Sequence, residues 1–420
     1  MVTRLRPDGN VDGKMKSYYD VVMNIYKLNN EIQQYAWGSA TALPELLKID
    51  NPEHAPMAEL WMGTHHKAPS KVVTDAGEET LDRLIAAQPE SILGNKTSSQ
   101  FGGKLPFLFK VIAAAKPLSI QAHPNLDQAK RGFVRENKKG IPLDAPERNY
   151  RDDNHKPEII CAVKPYLAMR GFRNVDDIIA EFSGYDIPEF NEMAKELKTE
   201  PDSEGLKTFF RKLMELDRDY CTALTAQVLK QVEGSSLLRY RVMRKLQKYY
   251  PGDIGVLCPL FLNVLELQPG QAMFLPPGEL HAYIEGTGIE LMANSDNVLR
   301  GGLTSKHMDI PELIHVLTFS EGPPELIKPR QGGKTEIVYP TPIKDFGLAK
   351  ITTTHDTPYE NSRQKSIELL ICLEGSGKVT AKQNGDRLEF NQGESFAVSA
   401  AAGGYTITGE AVLYRAYVPV

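Results

Sequence analysis

The stretch GQAMFLPPGELH, residues 270–281, constrains what this chain can fold into more than any other segment. It reads G-x-x-x-x-x-P-x-G-x-x-H: a strand, a stiff proline–glycine turn, then a histidine delivered onto the returning strand. Such a turn demands an antiparallel β scaffold and aims one imidazole at a fixed point. A single imidazole does not hold a metal, so its complement must come from elsewhere. Upstream, PLSIQAHPN alternates Ser119, Gln121 and His123 with Leu118, Ile120 and Ala122. In a strand that alternation sends the polar set to one face and the apolar set to the other. Gln121, His123 and His281 are thereby nominated as ligands on an all-β scaffold.

A fourth ligand is needed, and Glu158 in NYRDDNHKPE is the best candidate. Two imidazoles and an amide supply no charge compensation; a carboxylate does, and Pro157 stiffens its approach. The resulting shell carries one negative charge, so a divalent cation there stays net positive and suits an oxygen-rich, anionic substrate. Ligation by nitrogen and oxygen without thiolate fits zinc first, with iron, manganese and cobalt also compatible. His155, in the same segment, and His65 and His66, in GTHHKAP, are rivals. All three sit in loop-like sequence where exposed histidines are common, which leaves them outside the ligand set.

Bulk properties exclude several classes. At 420 residues the chain is too long for one ordinary core, and 41% hydrophobic residues suffice for two or three domains. A net charge of −5 argues against a nucleic-acid binder or a membrane-surface protein, so any anion site is local. Cys161, Cys221, Cys258 and Cys372 form no C-x-x-C pair, which fits a reducing cytoplasm better than a disulfide scaffold. No stretch approaches the ~20 apolar residues needed to span a bilayer, and residues 1–22 have no signal-peptide core.

Residues 1–22 read as a peripheral extension. Short apolar runs such as PFLFKVI, punctuated by Pro, Gly and Asn, predict β structure over about 23–172 and again over 251–325. Between them, Leu206, Phe209, Phe210, Leu213, Leu216, Tyr220 and Leu224 fall at helical spacing, which predicts a helical domain over 173–250. GPPELIKPRQGGK makes a linker near residue 325, before a second β unit over 326–420. LELQPGQAMF from Leu265 matches LEFNQGESFA from Leu388 at an offset of 123 residues. At that offset His281 falls on Gly404, so the C-terminal unit is expected to lack the metal turn.

A second polar cluster, MANSDNVLRGGLTSKH, surrounds Arg300 and Lys306 with two glycines. Arginine offers a planar fork for phosphate, lysine a mobile charge, and glycine lets backbone approach a ligand closely. Lys116 precedes Ser119 by three residues and Lys156 precedes Glu158 by two. Cations this close to presumed ligands point to a phosphorylated substrate. Ser119 would lie on the ligand face, in reach of a phosphate oxygen. Trp37 and Trp61, the only tryptophans, read as packing residues.

QAHP, NHKPE, the proline–glycine turn continued as HAY, SDNV-x-R-x-G-L-T, YAWGS and AELWMG together resemble class I mannose-6-phosphate isomerases, zinc-dependent members of the cupin superfamily. The likeness runs from about Asn24 to the C-terminus. It implies a mainly β fold: a cupin-type jelly-roll catalytic domain, a helical insertion domain and a second C-terminal cupin-like β domain lacking metal ligands. The family's zinc ligands would fall on Gln121, His123, Glu158 and His281, and its active-site arginine on Arg300. The implied reaction interconverts mannose 6-phosphate and fructose 6-phosphate by proton transfer through an enediol, with one divalent metal per chain. Glu290 or Lys156 would move the proton, and some subset of Ser119, Lys116 and Lys306 would hold phosphate. One departure stands out: the superfamily's usual H-x-H is Q-x-H here, with Glu158 35 positions after His123. That favours the isomerases over cupin oxygenases. An iron-dependent cupin oxygenase and a non-catalytic sugar-phosphate-binding regulator are the competing readings. A cytoplasmic monomer with a small-molecule substrate and no obligate protein, nucleic-acid or membrane partner is expected.

Overall fold

Along the strand Phe107–Ala114 every residue is buried, which a strand achieves only when both its faces are covered. The computed structural model, which describes residues 23–74, 77–362 and 364–420, shows what covers them. Phe107, Phe109, Val111 and Ala113 face one core, while Ile112 faces another. The strands Glu158–Ala162 and His281–Ala293 divide the same way. Ile159, Cys161, Ile289 and Leu291 join the first core, and Ile160 and Ala162 the second. The second core is the interior of an N-terminal β unit. The first is a seam shared with a C-terminal β unit, which contributes Leu348, Ile367, Leu369, Ile371 and Ala416.

The spine of the N-terminal unit is the 13-residue strand His281–Ala293. Its first half pairs antiparallel with Tyr166–Phe172, setting His281 opposite Arg170. Its second half lies between Phe107–Ala114 and Glu158–Ala162, with Glu290 opposite both Lys110 and Ile160. A register shift between Tyr283 and Glu285 marks where it passes from one wall to the other. The C-terminal unit is built on Glu368–Ala381 paired along its length with Tyr405–Tyr417. Its sheet is completed from the other end of the chain: Ile25–Asn29 pairs with Ser395–Val398, and Lys71–Thr74 and Gly77–Thr80 follow at the edge. Residues 25–80 therefore contribute strands to both units, a long-range pairing that no local pattern announces.

The strand series Leu262–Leu267, Ala272–Leu275, His281–Ala293 is echoed by Arg387–Asn391, Ser395–Val398, Tyr405–Tyr417. The echo follows the offset seen in sequence. Inserted between the strands of the N-terminal unit are five helices, Val175–Ser183, Pro188–Thr199, Ser203–Met214, Arg218–Gln231 and Leu238–Tyr249. Leu206, Phe209, Phe210, Leu213 and Leu224 are buried as their spacing requires, but Tyr220 is 36% exposed and lies off the core face. The β expectation for the earlier segment is too uniform, because Leu126–Lys138 is a 13-residue helix. Asn125 and Gln128 close a reciprocal capping box at its start, and Glu136 is buried on its inner face with Ala129 and Gly132. The proposed extension over 1–22 lies outside the described residues. Among those described, no helix is long and apolar enough to cross a membrane.

Trp37 and Trp61 both pack within the N-terminal unit, so their fluorescence reports on that unit. Leu369 belongs to the C-terminal unit and is fully buried in the shared seam. Leu369→Ala should cost about 3 kcal/mol and shift the tryptophan-detected denaturant midpoint. Independent units would leave that midpoint where it was.

Candidate metal centre and cationic rim

The proline–glycine turn does more than reverse the chain. Gly278, at φ 79°, adopts a backbone that other residues rarely take. A Cβ there would sit 2.8 Å from Thr318 Cγ2. Its N–H donates to the carbonyl of His123 at 2.8 Å, so the turn is tied directly to the other ligand segment. His281 follows on its strand, with Gln121 as its cross-strand neighbour. Gln121 is in turn paired with Arg300. The Gln121–Ala122 strand is only two residues long, yet the alternation read from sequence holds. Ile120 and Ala122 are buried in the core shared with the helical insertion, and His123 is buried on the other side.

Glu158 enters from the neighbouring wall. Its carboxylate lies 3.3 Å from His123 Nε2 and 3.4 Å from His281 Nε2. All three residues are at most 2% exposed. Both Nε2 atoms are buried and have no hydrogen-bond partner among the described residues. Their other ring nitrogens are engaged, His123 Nδ1 with the Asn297 carbonyl at 2.7 Å and His281 Nδ1 with the Glu279 carbonyl at 3.1 Å. A carbonyl partner accepts from Nδ1–H, which leaves the Nε2 lone pairs free and facing the carboxylate. Two imidazole lone pairs and a carboxylate within 4.8 Å of one another are a donor set for a transition-metal ion.

The electrostatics agree. Burial, then Lys156, push the His123 imidazole down to about 4, keeping it neutral. Burial alone would raise the Glu158 carboxyl, but Lys156 and then His123 hold it well below the ordinary carboxylate range. Lys156 Nζ lies 3.0 Å from Glu158 Oε1. Below the site, Lys110 donates to Glu290 at 2.9 Å and sits 3.6 Å from Glu59. Burial would lower the Lys110 ammonium, but Glu290 and Glu59 raise it above its usual value. Burial first, and then Glu158 and Glu59, raise Glu290. Trp61 lies under this layer, its Nε1–H donating to Glu59 at 2.7 Å.

Arg300 and Lys306 form the rim. Burial and then Arg151 lower Arg300; burial, Arg300, Arg151 and Lys67 lower Lys306. Arg151 and Lys67 are thus members of the cationic cluster that sequence reading passed over, although Arg151 stands inside the NYRDDNHKPE string. Ser119 is half-buried beside this rim. Its neighbour Ile120 exchanges backbone hydrogen bonds with Gly301 and Gly302. Lys116 is exposed, at a turn bonded to the Trp37 carbonyl, and makes no ion pair among the described residues.

The rival histidines are placed otherwise. His155 Nε2 lies 3.0 Å from Asp345 of the C-terminal unit, on the wall of an open cavity of about 1310 Å³. His65 and His66 converge on Asp296 at 3.4 and 3.7 Å, but Lys67 Nζ already supplies that carboxylate with a cation at 2.9 Å. Asn297 lies within the SDNV string without a role assigned from sequence. It holds the loop through Asn154 and Asp152 while its carbonyl fixes His123.

Fold and site together define a jelly-roll protein with a buried histidine–carboxylate metal centre beneath a cationic rim. Residues 25–175 match the family model "Phosphomannose isomerase type I, catalytic domain" and 186–262 that family's helical insertion domain. Residues 335–418 match the cupin domain of mannose-6-phosphate isomerase. The Escherichia coli mannose-6-phosphate isomerase is 39% identical over 396 residues, 93% of this chain and 99% of that protein. The human protein of that name is 34% identical over 384 residues, 84% of this chain and 88% of its own length. A solved mannose 6-phosphate isomerase with zinc bound is 38% identical, with a TM-score of 0.86 over 95% of this chain and 100% of that one. The Salmonella typhimurium enzyme, solved with substrate (f6p) and zinc, matches with the same score, identity and coverage. The chain belongs to the type I phosphomannose isomerase family.

The neutral state of His123 has a measurable consequence in metal-free protein. Between about pH 6.5 and pH 4 the unfolded chain takes up a proton on this imidazole that the folded chain refuses, so stability falls as pH falls through that window. The contribution is about 3 kcal/mol, fully lost once pH drops below about 4. Denaturant titrations of apoprotein across this range should show the loss. His123→Gln should flatten it, and an unchanged acid limb in that variant would contradict the assignment.

Proposed function

We propose that this chain is a zinc-dependent isomerase interconverting mannose 6-phosphate and fructose 6-phosphate. The observation that carries the reading is the His123–Glu158–His281 centre with Gln121 paired to both His281 and Arg300, and Lys306 and Arg151 clustered with that arginine. A metal site with a single carboxylate ligand would suit many substrates; one bordered by a cluster of cations suits a sugar carrying phosphate. Gln121, placed between His281 and Arg300, is assigned as the fourth ligand, its amide oxygen completing the set.

The bound ion supplies Lewis-acid polarisation of the sugar's carbonyl and hydroxyl oxygens. The chain's own residues do the rest. Arg300 places fixed positive charge where the enediol's oxygens develop negative charge. Lys306, with Arg151, holds the phosphate, so that binding energy far from the reacting carbons orients them. Ser119 adds a neutral donor at the rim; Lys116 is the weakest member of this set, being exposed and apart from the cluster. Between the two proton-moving candidates we assign the task to Lys156, because Glu290 is already committed to Lys110 while Lys156 stands beside Glu158. Glu290 then serves to hold Lys110 charged beneath the site. A monomer working in the cytoplasm completes the reading.

Dialysis against a chelator should abolish ketose–aldose turnover, and added zinc should restore it without oxygen consumption. Turnover that survives complete metal removal would defeat the proposal, and oxygen uptake would favour an oxygenase. Arg300→Ala should retain metal while kcat falls about 10²–10³-fold, whereas His281→Ala should lose metal and activity together. Metal analysis alongside the coupled assay distinguishes these outcomes.

A further inference from the structure

We infer that Asp253, at the exit of the helical insertion, is a positioning residue that sets the shape of the loop that follows Arg300 and presents Lys306. Asp253 caps the short 3-10 helix Ile254–Leu260, its Oδ1 accepting from Gly255 N at 2.7 Å. The same oxygen accepts from Leu303 N at 2.7 Å, and Oδ2 accepts from Thr304 N at 3.1 Å. One carboxylate thus collects three backbone N–H groups, two of them from the rim loop. A helix cap needs only the first.

The loop requires such an anchor. After Arg300 pairs with Gln121, Gly301 N donates to Ile120 O at 2.8 Å and Ile120 N to Gly302 O at 3.0 Å. The backbone then leaves ordinary strand geometry. Gly302 has φ 131° and Leu303, a residue with a full side chain, has φ 54°, a region that L residues seldom occupy. Leu303 is held there from both sides, its side chain 1% exposed in the core shared with the helices and its N–H on Asp253. The approach is close: a Cβ on Gly302 would come within 2.9 Å of Gly255 Cα, and one on Gly255 within 2.8 Å of Leu303 N. Past Thr304, whose hydroxyl accepts from Lys306 N at 3.0 Å, the chain presents Lys306. Arg300 and Lys306 share this loop and face Arg151 as well, so holding like charges together needs a loop fixed from behind. Asp253 does this without contact to His123, Glu158 or His281, and the helical insertion thereby becomes a support for anion recognition.

The inference rests on the phosphosugar reading, and the test separates the two. In full-length, metal-loaded protein, Asp253→Ala should raise KM for mannose 6-phosphate at least tenfold, with metal content unchanged and kcat within threefold of the parent. Asp253→Asn keeps the acceptor for Gly255 and Leu303 and loses the one for Thr304, so it should fold like the parent and raise KM about threefold. Calorimetric titration with inorganic phosphate should show the same order of weakening, and this arm remains valid if the parent protein shows no isomerase turnover. KM and phosphate affinity unchanged in Asp253→Asn, or in a folded Asp253→Ala, would reduce Asp253 to a helix cap. A loss of metal and kcat at constant KM would make its role purely structural.

Discussion

Glu158 is a carboxylate 2% exposed in the wall of a hydrophobic barrel, and the surrounding structure is arranged around keeping it charged. Moving an isolated carboxylate out of water costs several kcal/mol even after relaxation. Lys156 and two imidazoles offset that cost from three directions. Each partner is supplied by a different stretch of chain, so the site exists only when the strands bearing residues 121–123, 158–162 and 281–293 are in register. The His123 carbonyl bonded to Gly278 N fixes one of those relations, and Met292 opposite Glu158 another. Charge burial and fold topology are one constraint here.

That constraint explains the two-core design. Strand alternation puts Glu158 and Glu290 on the inner faces of their strands, with Ile159 and Leu291 on the outer ones. An outer face made of Phe107, Phe109, Ile159 and Leu291 needs cover, and the C-terminal unit provides it. Its contribution is therefore structural at the seam and local at Asp345, which reaches His155 two residues before Pro157. The helical insertion has a comparable dual place: its core takes in Ile120, Ala122 and Leu280, next neighbours of the ligands.

Much of this was legible in the sequence because the relevant signals are local. Pro276, Pro277 and Gly278 specify a turn, the 118–123 alternation specifies two faces, and Leu206 to Leu213 specify a helix face. The metal residues brought together, His123, Glu158 and His281, are ones that spacing and charge select. What escaped is non-local or hidden in loops. Nothing near Ile25 announces its pairing with Val398. Arg151 and Lys67 join the rim only through folding. Glu290 reads as a free carboxylate until Lys110, 180 residues away in sequence, is found on it. Asp253 looks like a simple cap because its other donors lie some fifty positions downstream.

The C-terminal unit puts a different arrangement on the same architecture. Where the N-terminal unit delivers His281 after its turn, the corresponding strand begins at Tyr405, whose hydroxyl donates to the buried Glu368 at 2.6 Å. Glu368 also faces a barrel interior, but it accepts two hydrogen bonds from Arg415 Nη1, at 2.9 and 3.0 Å, and Arg415 reaches Glu336 at 2.8 Å as well. Here the cation is covalently part of the chain, and Tyr359 and Tyr417 stack against it. A guanidinium has no lone pair to offer a metal ion, so the groups closing on Glu368 here are hydrogen-bond donors. The two units thus solve the same problem, a carboxylate inside a jelly roll, in opposite ways. One closes the charge internally and becomes a rigid support, while the other leaves two imidazole lone pairs facing the carboxylate and is open to chemistry.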